Sequence, residues 1–253
     1  MLEIRGIDVF YGPIQGLRGV SMTVGEGERV ALVGANGAGK TTTLRAISGM
    51  LAPAAGEILF EGTPIHGLKP NQVVARGIAH LPEGRELFTE LSVEDNLRAG
   101  YWTQRKNGSF AAQRDRVMDH FPILRERAAQ AAGTLSGGEQ QMLGVARALM
   151  SNPRLLIVDE LSLGLAPKIV SQLFDILREV NVAGCAVLIV EQFVHMALAN
   201  TDRAYVLAKG EVVLGGASAD LAADPKLVAS YLGDDEPDDE PNDEPKRRGA
   251  RKR

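Results

Sequence analysis

The chain has 253 residues, of which 45% are hydrophobic and 24% are charged, an ordinary globular composition sufficient for one large domain or two small ones. The single cysteine, Cys185, excludes a disulfide framework or a cysteine zinc site within one chain. The net charge is −4, and residues 1–233 carry −2 of it, which gives this part no electrostatic footprint for nucleic acid.

The first residues, MLEIRGIDVFYG, contain neither the basic region nor the apolar region of a secretory signal, and none is expected. The longest apolar runs fall far short of the ~20 residues that a membrane-spanning helix needs. If the protein works at a membrane, we expect another chain to do the spanning.

Strand-like and helix-like segments alternate along residues 1–233. Strands are predicted at Leu2–Phe10, Glu28–Val33, Gly56–Phe60, Ile78–Leu81, Leu155–Val158 and Ala186–Val190, and helices at Lys40–Met50, Pro167–Asn181 and Phe193–Ala199. A hairpin is predicted where Tyr205–Ala208 and Glu211–Leu214 flank Lys209 and Gly210. A polar, helix-rich stretch at about 92–132 predicts an inserted subdomain at about 84–150. This alternation favours an α/β core with a largely parallel sheet.

The C-terminal tail, residues 234–253, differs in composition from the rest. It runs DDEPDDEPNDEP and then KRRGARKR, with Ala250 as its one apolar residue. Such a stretch cannot bury a core, so it is predicted to be disordered. Binding of the basic cluster to anionic lipid, to nucleic acid or to the acidic half of the tail stays open, as does a purely solubilising role.

Residues 34–41 read GANGAGKT between a predicted strand and a predicted helix, which is the P-loop pattern in its required context. Gly34, Gly37 and Gly39 allow backbone N–H groups to turn inward around phosphate oxygens. The helix N-terminus adds its positive dipole end. Lys40 supplies a cation for the β- and γ-phosphates, and the Thr41 hydroxyl can ligate Mg²⁺.

A second predicted strand ends on two carboxylates, in LLIVDE at residues 155–160. Beside a P-loop, Asp159 would hold Mg²⁺ through water, and Glu160 would polarise an attacking water. The pair therefore favours hydrolysis of the nucleotide over transfer of its phosphate to another substrate.

Between these elements lies LSGGEQQ, residues 135–141, which resembles the signature motif of ATP-binding cassette (ABC) proteins. The resemblance covers residues 1–233 and implies an ABC ATPase domain, with a P-loop α/β core, an N-terminal antiparallel β portion and an inserted α-helical subdomain. In that family Ser136 and Gly138, with Gly137 and Glu139 in the same segment, face the γ-phosphate bound to the opposite subunit. The resemblance thus implies a head-to-tail dimer with two ATP molecules between its subunits.

The resemblance also assigns the remaining site residues. Tyr11 lies where these proteins stack an aromatic ring on adenine, and SLGL, residues 162–165, matches the loop that crosses the dimer interface. The implied Mg²⁺ ligands are Thr41, Asp159 and Glu83. The implied phosphate-binding residues are Gly34, Ala35, Asn36, Gly37, Ala38, Gly39, Lys40, Thr41 and Thr42.

Within ABC proteins, three stretches resemble the branched-chain amino acid uptake ATPases. Related importers of urea or amides share much of the same sequence in these stretches. They are LPEGRELFTELSVEDNL at 81–97, DELSLGLAP at 159–167 and VEQF at 190–193. The implied partners are a second ABC ATPase, identical or different, transmembrane permease subunits and, indirectly, a solute-binding protein. The implied location is the cytoplasmic face of the membrane. The segment at 83–97 and the helical insert would transmit motion to the permeases, and Leu87, Phe88 and Leu91 either line a docking groove or pack in the core.

Three positions depart from the usual family pattern. Gln192 stands where most members have a histidine that contacts the γ-phosphate; a glutamine amide still donates and accepts hydrogen bonds but cannot relay a proton. We therefore expect slow but measurable hydrolysis at this chain's own site, with Lys40, Glu160 and Gln192 as catalytic residues. Glu83 replaces a usual glutamine, and together these two changes predict an asymmetric pair with a more typical second ATPase. Leu161 replaces a usual proline, which relaxes a restraint on Glu160.

Two other functions stay open from the residues. One is a soluble ABC ATPase acting on a macromolecular assembly or nucleic acid, which only the basic tail favours. The other is a catalytically weak subunit that senses ATP and has a structural role.

Overall fold

The computed structural model describes residues 1–84, 86–106 and 108–232. The tail at 234–253, predicted to be disordered, lies outside these residues. Among the described residues, the strands are β1 (Leu2–Tyr11), β2 (Ile14–Val24), β3 (Arg29–Val33), β4 (Ala55–Phe60), β5 (Thr63–Pro64), β6 (Ile78–Leu81), β7 (Leu155–Asp159), β8 (Ala186–Glu191), β9 (Arg203–Ala208) and β10 (Glu211–Ala217). The α-helices are α1 (Lys40–Ile47), α2 (Pro70–Ala75), α3 (Val93–Gly100), α4 (Phe110–His120), α5 (Pro122–Glu126), α6 (Gly137–Leu149), α7 (Pro167–Val182), α8 (Val194–Ala199), α9 (Ser218–Ala223) and α10 (Pro225–Leu232).

The strands form two sheets. The larger has the order β10-β9-β3-β8-β7-β6, in which the strands from β9 to β6 run parallel and β10 pairs antiparallel with β9. The smaller has the order β2-β1-β4-β5 and is antiparallel. The predicted α/β architecture with a mainly parallel sheet and an N-terminal antiparallel portion is therefore confirmed.

Strands β7 and β8 are buried along their whole length because each face of the sheet is covered. Leu156 and Val158 of β7 pack into a core with α6 and α7, while Leu155 and Ile157 pack into a second core with α1 and the antiparallel sheet. Alternate side chains of a strand point to opposite faces, so one apolar run supplies both cores. This sandwiching holds the carboxyl end of β7 firmly in place.

Helices α3 to α6 lie in the chain between β6 and β7 and share the core that covers one face of the larger sheet. Asn96, fully buried in α3, accepts a hydrogen bond from the Phe88 N–H at 3.0 Å and donates to the Phe88 carbonyl at 3.0 Å. This amide fixes the segment before α3. Phe88 and Leu91 on that segment are 52% and 42% exposed, whereas Leu87 packs partly against the helical core.

Several boundaries differ from the sequence prediction. Strand β2 was not predicted, because Gly16 and Gly19 interrupt its apolar alternation, and α2, α9 and α10 were also missed. The helix predicted over Lys40–Met50 ends at Ile47. Gly49 has φ 72°, and the Met50 N–H bonds back to the Arg45 carbonyl at 2.9 Å, a left-handed glycine cap that ends the helix.

Among the described residues, no helix is both long enough and apolar enough to cross a membrane.

Candidate active site

The loop between β3 and α1, residues 34–39, surrounds the buried side chain of Lys40. Lys40 is only 5% exposed, and its Nζ donates to the Gly34 carbonyl at 2.7 Å and to the Ala35 carbonyl at 3.3 Å. Burial lowers the pKa of Lys40, while the nearby carboxylates of Glu160 and Asp159 raise it. The ammonium group is thus held at the N-terminus of α1, where the backbone N–H groups and the helix dipole favour binding of an anion.

Two glycines in this loop are required by close backbone approaches. A Cβ at Gly34 would lie 2.3 Å from the Leu207 carbonyl oxygen, which belongs to β9. Gly39 has φ 112°, and a Cβ there would lie 2.8 Å from a methyl carbon of Leu17. A side chain at either position would therefore force this loop or its neighbours to shift.

Carboxylates from neighbouring strand ends converge on Lys40. Asp159 ends β7 and is 2% exposed, and Glu160 follows it with Oε1 3.9 Å from Lys40 Nζ. The pKa of Asp159 is raised to about 7, first by burial and then by the charges of Glu160 and Glu83, while Lys40 acts in the opposite direction. A buried carboxyl with this environment gains from a bound cation.

A cavity of about 770 Å³ opens above the loop, at the carboxyl ends of the parallel strands, where ligands of open α/β sheets bind. Of the predicted residues, those that line it are Tyr11, Asn36, Gly37, Gly39, Lys40, Thr41, Thr42, Glu83, Glu160 and Gln192. Tyr11 is 41% exposed at its mouth, with its hydroxyl 3.4 Å from Thr42 Oγ1. Gly34, Ala35, Ala38 and Asp159 do not line the cavity; they form the loop and the strand end beneath it.

The predicted signature residues lie elsewhere. Ser136 caps α6, accepting the Glu139 N–H at 3.4 Å, while Glu139 accepts the Ser136 N–H at 2.8 Å and pairs with Arg127 at 3.1 Å. The hydrogen bonds with Ser136 lower the pKa of Glu139 most, and the charge of Arg127 lowers it further. Neither Gly137 nor Gly138 lines the cavity, and a Cβ at Gly138 would lie 3.0 Å from Ile169. One chain therefore does not bring the signature segment to its own cavity.

Sequence reasoning missed some residues of the site. Gln15, Gly16, Lys209 and Gly210 line the cavity, and they come from the unpredicted β2 and from the hairpin turn. The sequence draws attention to both polar residues at the end of this strand but assigns a role only to Gln192. The neighbouring Glu191 is 1% exposed and accepts two hydrogen bonds from Ser162, 29 residues away in the chain. The available signal was a carboxylate that closes a strand of otherwise apolar residues.

Comparison with known proteins matches residues 17–162 to the family described as ABC transporter. Over 234 residues the chain is 46% identical to the high-affinity branched-chain amino acid transport ATP-binding protein BraG of Pseudomonas aeruginosa, covering 92% of this chain and 100% of BraG. It is 35% identical to the probable branched-chain amino acid transport ATP-binding protein LivF of Archaeoglobus fulgidus, covering 92% and 99%. It is 36% identical to the lipopolysaccharide export system ATP-binding protein LptB of Escherichia coli, covering 85% and 90%.

Among solved structures, the ADP conformation of MJ1267, an ATP-binding cassette of an ABC transporter, matches with a TM-score of 0.82 at 26% identity, covering 92% of this chain and 99% of that one. The family's cassettes bind nucleotide and work as dimers with transmembrane permease components. The chain belongs to the ABC transporter family, as one of its ATP-hydrolysing subunits.

Proposed function

We propose that this chain is the ATP-hydrolysing subunit of an importer for branched-chain amino acids, bound to the cytoplasmic face of the membrane. The observation that carries the proposal is the 46% identity to BraG over that protein's full length. The identity to the lipopolysaccharide exporter subunit is 36%, which favours amino acid import over export of a lipid.

In this proposal Glu160 is the general base for the attacking water, and Lys40 and Gln192 stabilise the γ-phosphate. The support is that all three line one cavity, with Glu160 Oε1 held 3.9 Å from Lys40 Nζ. Tyr11, partly exposed at the cavity mouth, is in position to stack on adenine. Gln192 retains a donor and an acceptor, so we expect its site to be slow rather than inactive.

The residues beneath and around the cavity suit Mg²⁺ that arrives with the nucleotide. Among the described residues there is no cluster of three His, Cys, Asp or Glu that could hold a metal alone. Mg²⁺ typically takes one or two carboxylates together with phosphate oxygens and waters. Thr41, Asp159 and Glu83 would hold it, and it would supply charge neutralisation for the phosphates.

The partner we propose is a second ABC ATPase in a head-to-tail dimer. The support is that Ser136 and Gly138 lie outside this chain's cavity, at the N-terminus of α6 where an anion from another chain can approach. The unusual residues Glu83 and Gln192 favour a different chain, with more typical residues, over an identical copy.

Permease subunits are the second class of partner. Phe88 and Leu91 are exposed on a segment that the buried Asn96 fixes to α3, so an apolar contact there is firmly connected to the helical core. This exposure favours the docking interpretation for these two side chains, and the packing of Leu87 favours a core role for that one. We propose that the helical subdomain at about 84–150 transmits cassette closure to the permeases through this segment.

The first test is native purification of the full chain from membranes in mild detergent, with mass spectrometry of what accompanies it. The proposal expects two permease chains and a second ABC ATPase. The complex would then be placed in lipid vesicles with its solute-binding protein, and leucine, urea and buffer compared for stimulation of ATP hydrolysis. Recovery of the chain only in a soluble assembly would overturn the importer proposal, and stimulation by urea alone would overturn the choice of cargo.

A further inference from the structure

The backbone at Glu160 adopts an uncommon conformation. Its φ is 49°, in the left-handed region that costs a residue with a side chain on the order of 1 kcal/mol or more. Such a conformation persists only where the surroundings enforce it. One restraint comes from the sheet, because the Glu160 N–H donates to the Val190 carbonyl of β8 at 2.9 Å.

A second restraint involves the carboxylate of Glu191, the last residue of β8. Its Oε1 accepts the Ser162 N–H at 3.1 Å and its Oε2 accepts the Ser162 hydroxyl at 2.8 Å. Glu191 is 1% exposed and Ser162 is 7% exposed. Burial raises the pKa of Glu191 and the bonds from Ser162 oppose that rise, so these bonds replace the water that a buried carboxyl has lost.

The residue between the two restraints is also fixed. The Leu161 side chain is fully buried in the core that contains α6 and α7. Residues 160, 161 and 162 are thus each held, the first and third by consecutive residues of β8. A proline at position 161 would drive Glu160 toward extended backbone angles. With leucine there, Glu160 keeps its φ of 49° and is bonded to β8 through its N–H.

Gln192 follows Glu191 directly and lines the same cavity as Glu160. The backbone N–H of Gln192 also contributes to the environment of the Glu191 carboxylate. One buried carboxylate therefore lies between the two cavity-facing residues that have been assigned to the water and the γ-phosphate.

We propose that Glu191 is a positioning residue for ATP hydrolysis, which fixes Ser162 and through it the aim of Glu160 at the cavity. The inference rests on the proposed role of Glu160 as the general base. Glu191 does not line the cavity, so the proposal assigns it no contact with the nucleotide. Its loss should therefore lower kcat and leave the KM for ATP unchanged.

The test compares variants in the assembled transporter. Glu191→Met keeps the approximate shape and removes both acceptors; we expect kcat to fall by tenfold or more, toward the ~10²-fold loss that misplacement of a reacting group by about 1 Å produces. Glu191→Gln should retain most of the activity, because its carbonyl can accept the Ser162 N–H while the hydroxyl reverses to accept from the amide. Ser162→Ala should lower kcat about fivefold, the effect of losing a single hydrogen bond. The double variant Glu191→Met/Ser162→Ala should have the same kcat as Glu191→Met alone, because both changes break the same contact.

The control is Thr201→Val, which removes a buried hydroxyl bonded to Ser218 Oγ at 2.9 Å, away from the cavity. It should lower the unfolding midpoint but leave kcat unchanged, which separates lost stability from lost positioning. Wild-type kcat in Glu191→Met, or a loss that appears in KM, would overturn the inference. If that variant does not fold, wild-type kcat in Ser162→Ala would do so. Glu160→Gln tests the proposed general base separately from the positioning role of Glu191, because full activity in that variant would refute the role of Glu160 itself.

Discussion

The buried carboxyl of Asp159 should make the nucleotide-free protein less stable than an uncharged substitute would. Asp159 is 2% exposed, and its pKa rises from 3.8 to about 7 through burial and the neighbouring carboxylates. Each pKa unit corresponds to about 1.4 kcal/mol, so full ionisation costs the folded state about 4 kcal/mol. We therefore expect Asp159→Asn to be more stable than the wild type at pH 8, although it loses activity.

The sign of the pH dependence follows from the raised pKa. The folded state holds the Asp159 proton more tightly than the unfolded state, so this group favours folding at low pH and the benefit disappears as the pH rises toward 7 and beyond. The advantage of Asp159→Asn should accordingly stay below about 1 kcal/mol at pH 4, rise to about 2 kcal/mol at pH 5 and reach about 4 kcal/mol at pH 8.

The assay is urea unfolding without nucleotide or Mg²⁺ at pH 5 and pH 8, compared with ATP hydrolysis by the assembled complex. Asp175→Asn is the matched control, since that carboxylate is 58% exposed in a surface pair with Arg178 and its loss should change stability by no more than about 1 kcal/mol. An Asp159→Asn advantage that is equal at the two pH values, or absent at pH 8, would refute the reasoning.

Three further predictions concern the site and the helical core. Gln192→His should raise kcat of the assembled complex. The increase should be less than ~10²-fold, which is the loss in kcat when such a hydrogen-bond donor is removed altogether. Turnover no faster than wild type would count against the role of residue 192. Gly34→Ala should weaken binding of a fluorescent ATP analogue, because its Cβ would lie 2.3 Å from the Leu207 carbonyl, whereas Gly216→Ala, with no atom within 4 Å, should not. Phe121→Ala should lower the free energy of unfolding in urea by about 3 to 5 kcal/mol, since this ring is 1% exposed in the helical core, with nucleotide affinity retained.

The phosphate loop could be predicted from the sequence because its determinants are contiguous. Eight residues specify where Lys40 lies and which backbone groups surround it, and the strand and helix on either side are strongly patterned. The same is true of the strand that ends at Asp159, where four apolar residues precede the carboxylate. Local pattern and tertiary environment agree at these positions.

Other features depend on contacts between distant residues and could not be predicted in this way. Strand β2 is specified by pairing with β1 rather than by its own alternation, which glycines interrupt. The bonds between Glu191 and Ser162 join residues that are 29 positions apart, and nothing in either local pattern indicates the other. The assigned roles of Tyr11, Glu83 and Gln192 stay predictions, because they come from family resemblance and from position at one cavity.

The order of the larger sheet also has a consequence for synthesis of the chain. Val30 of the central strand β3 pairs with Leu188 of β8, so its neighbour is translated 158 residues later. At about 5 to 20 residues per second, β3 waits on the order of 8 to 30 s for that partner. During this interval β1, β2, β4 and α1, which share a core with β3 and are made soon before or after it, can cover one face of the strand. The N-terminal antiparallel sheet thus provides early protection for an aggregation-prone strand while the ribosome completes the rest of the parallel sheet.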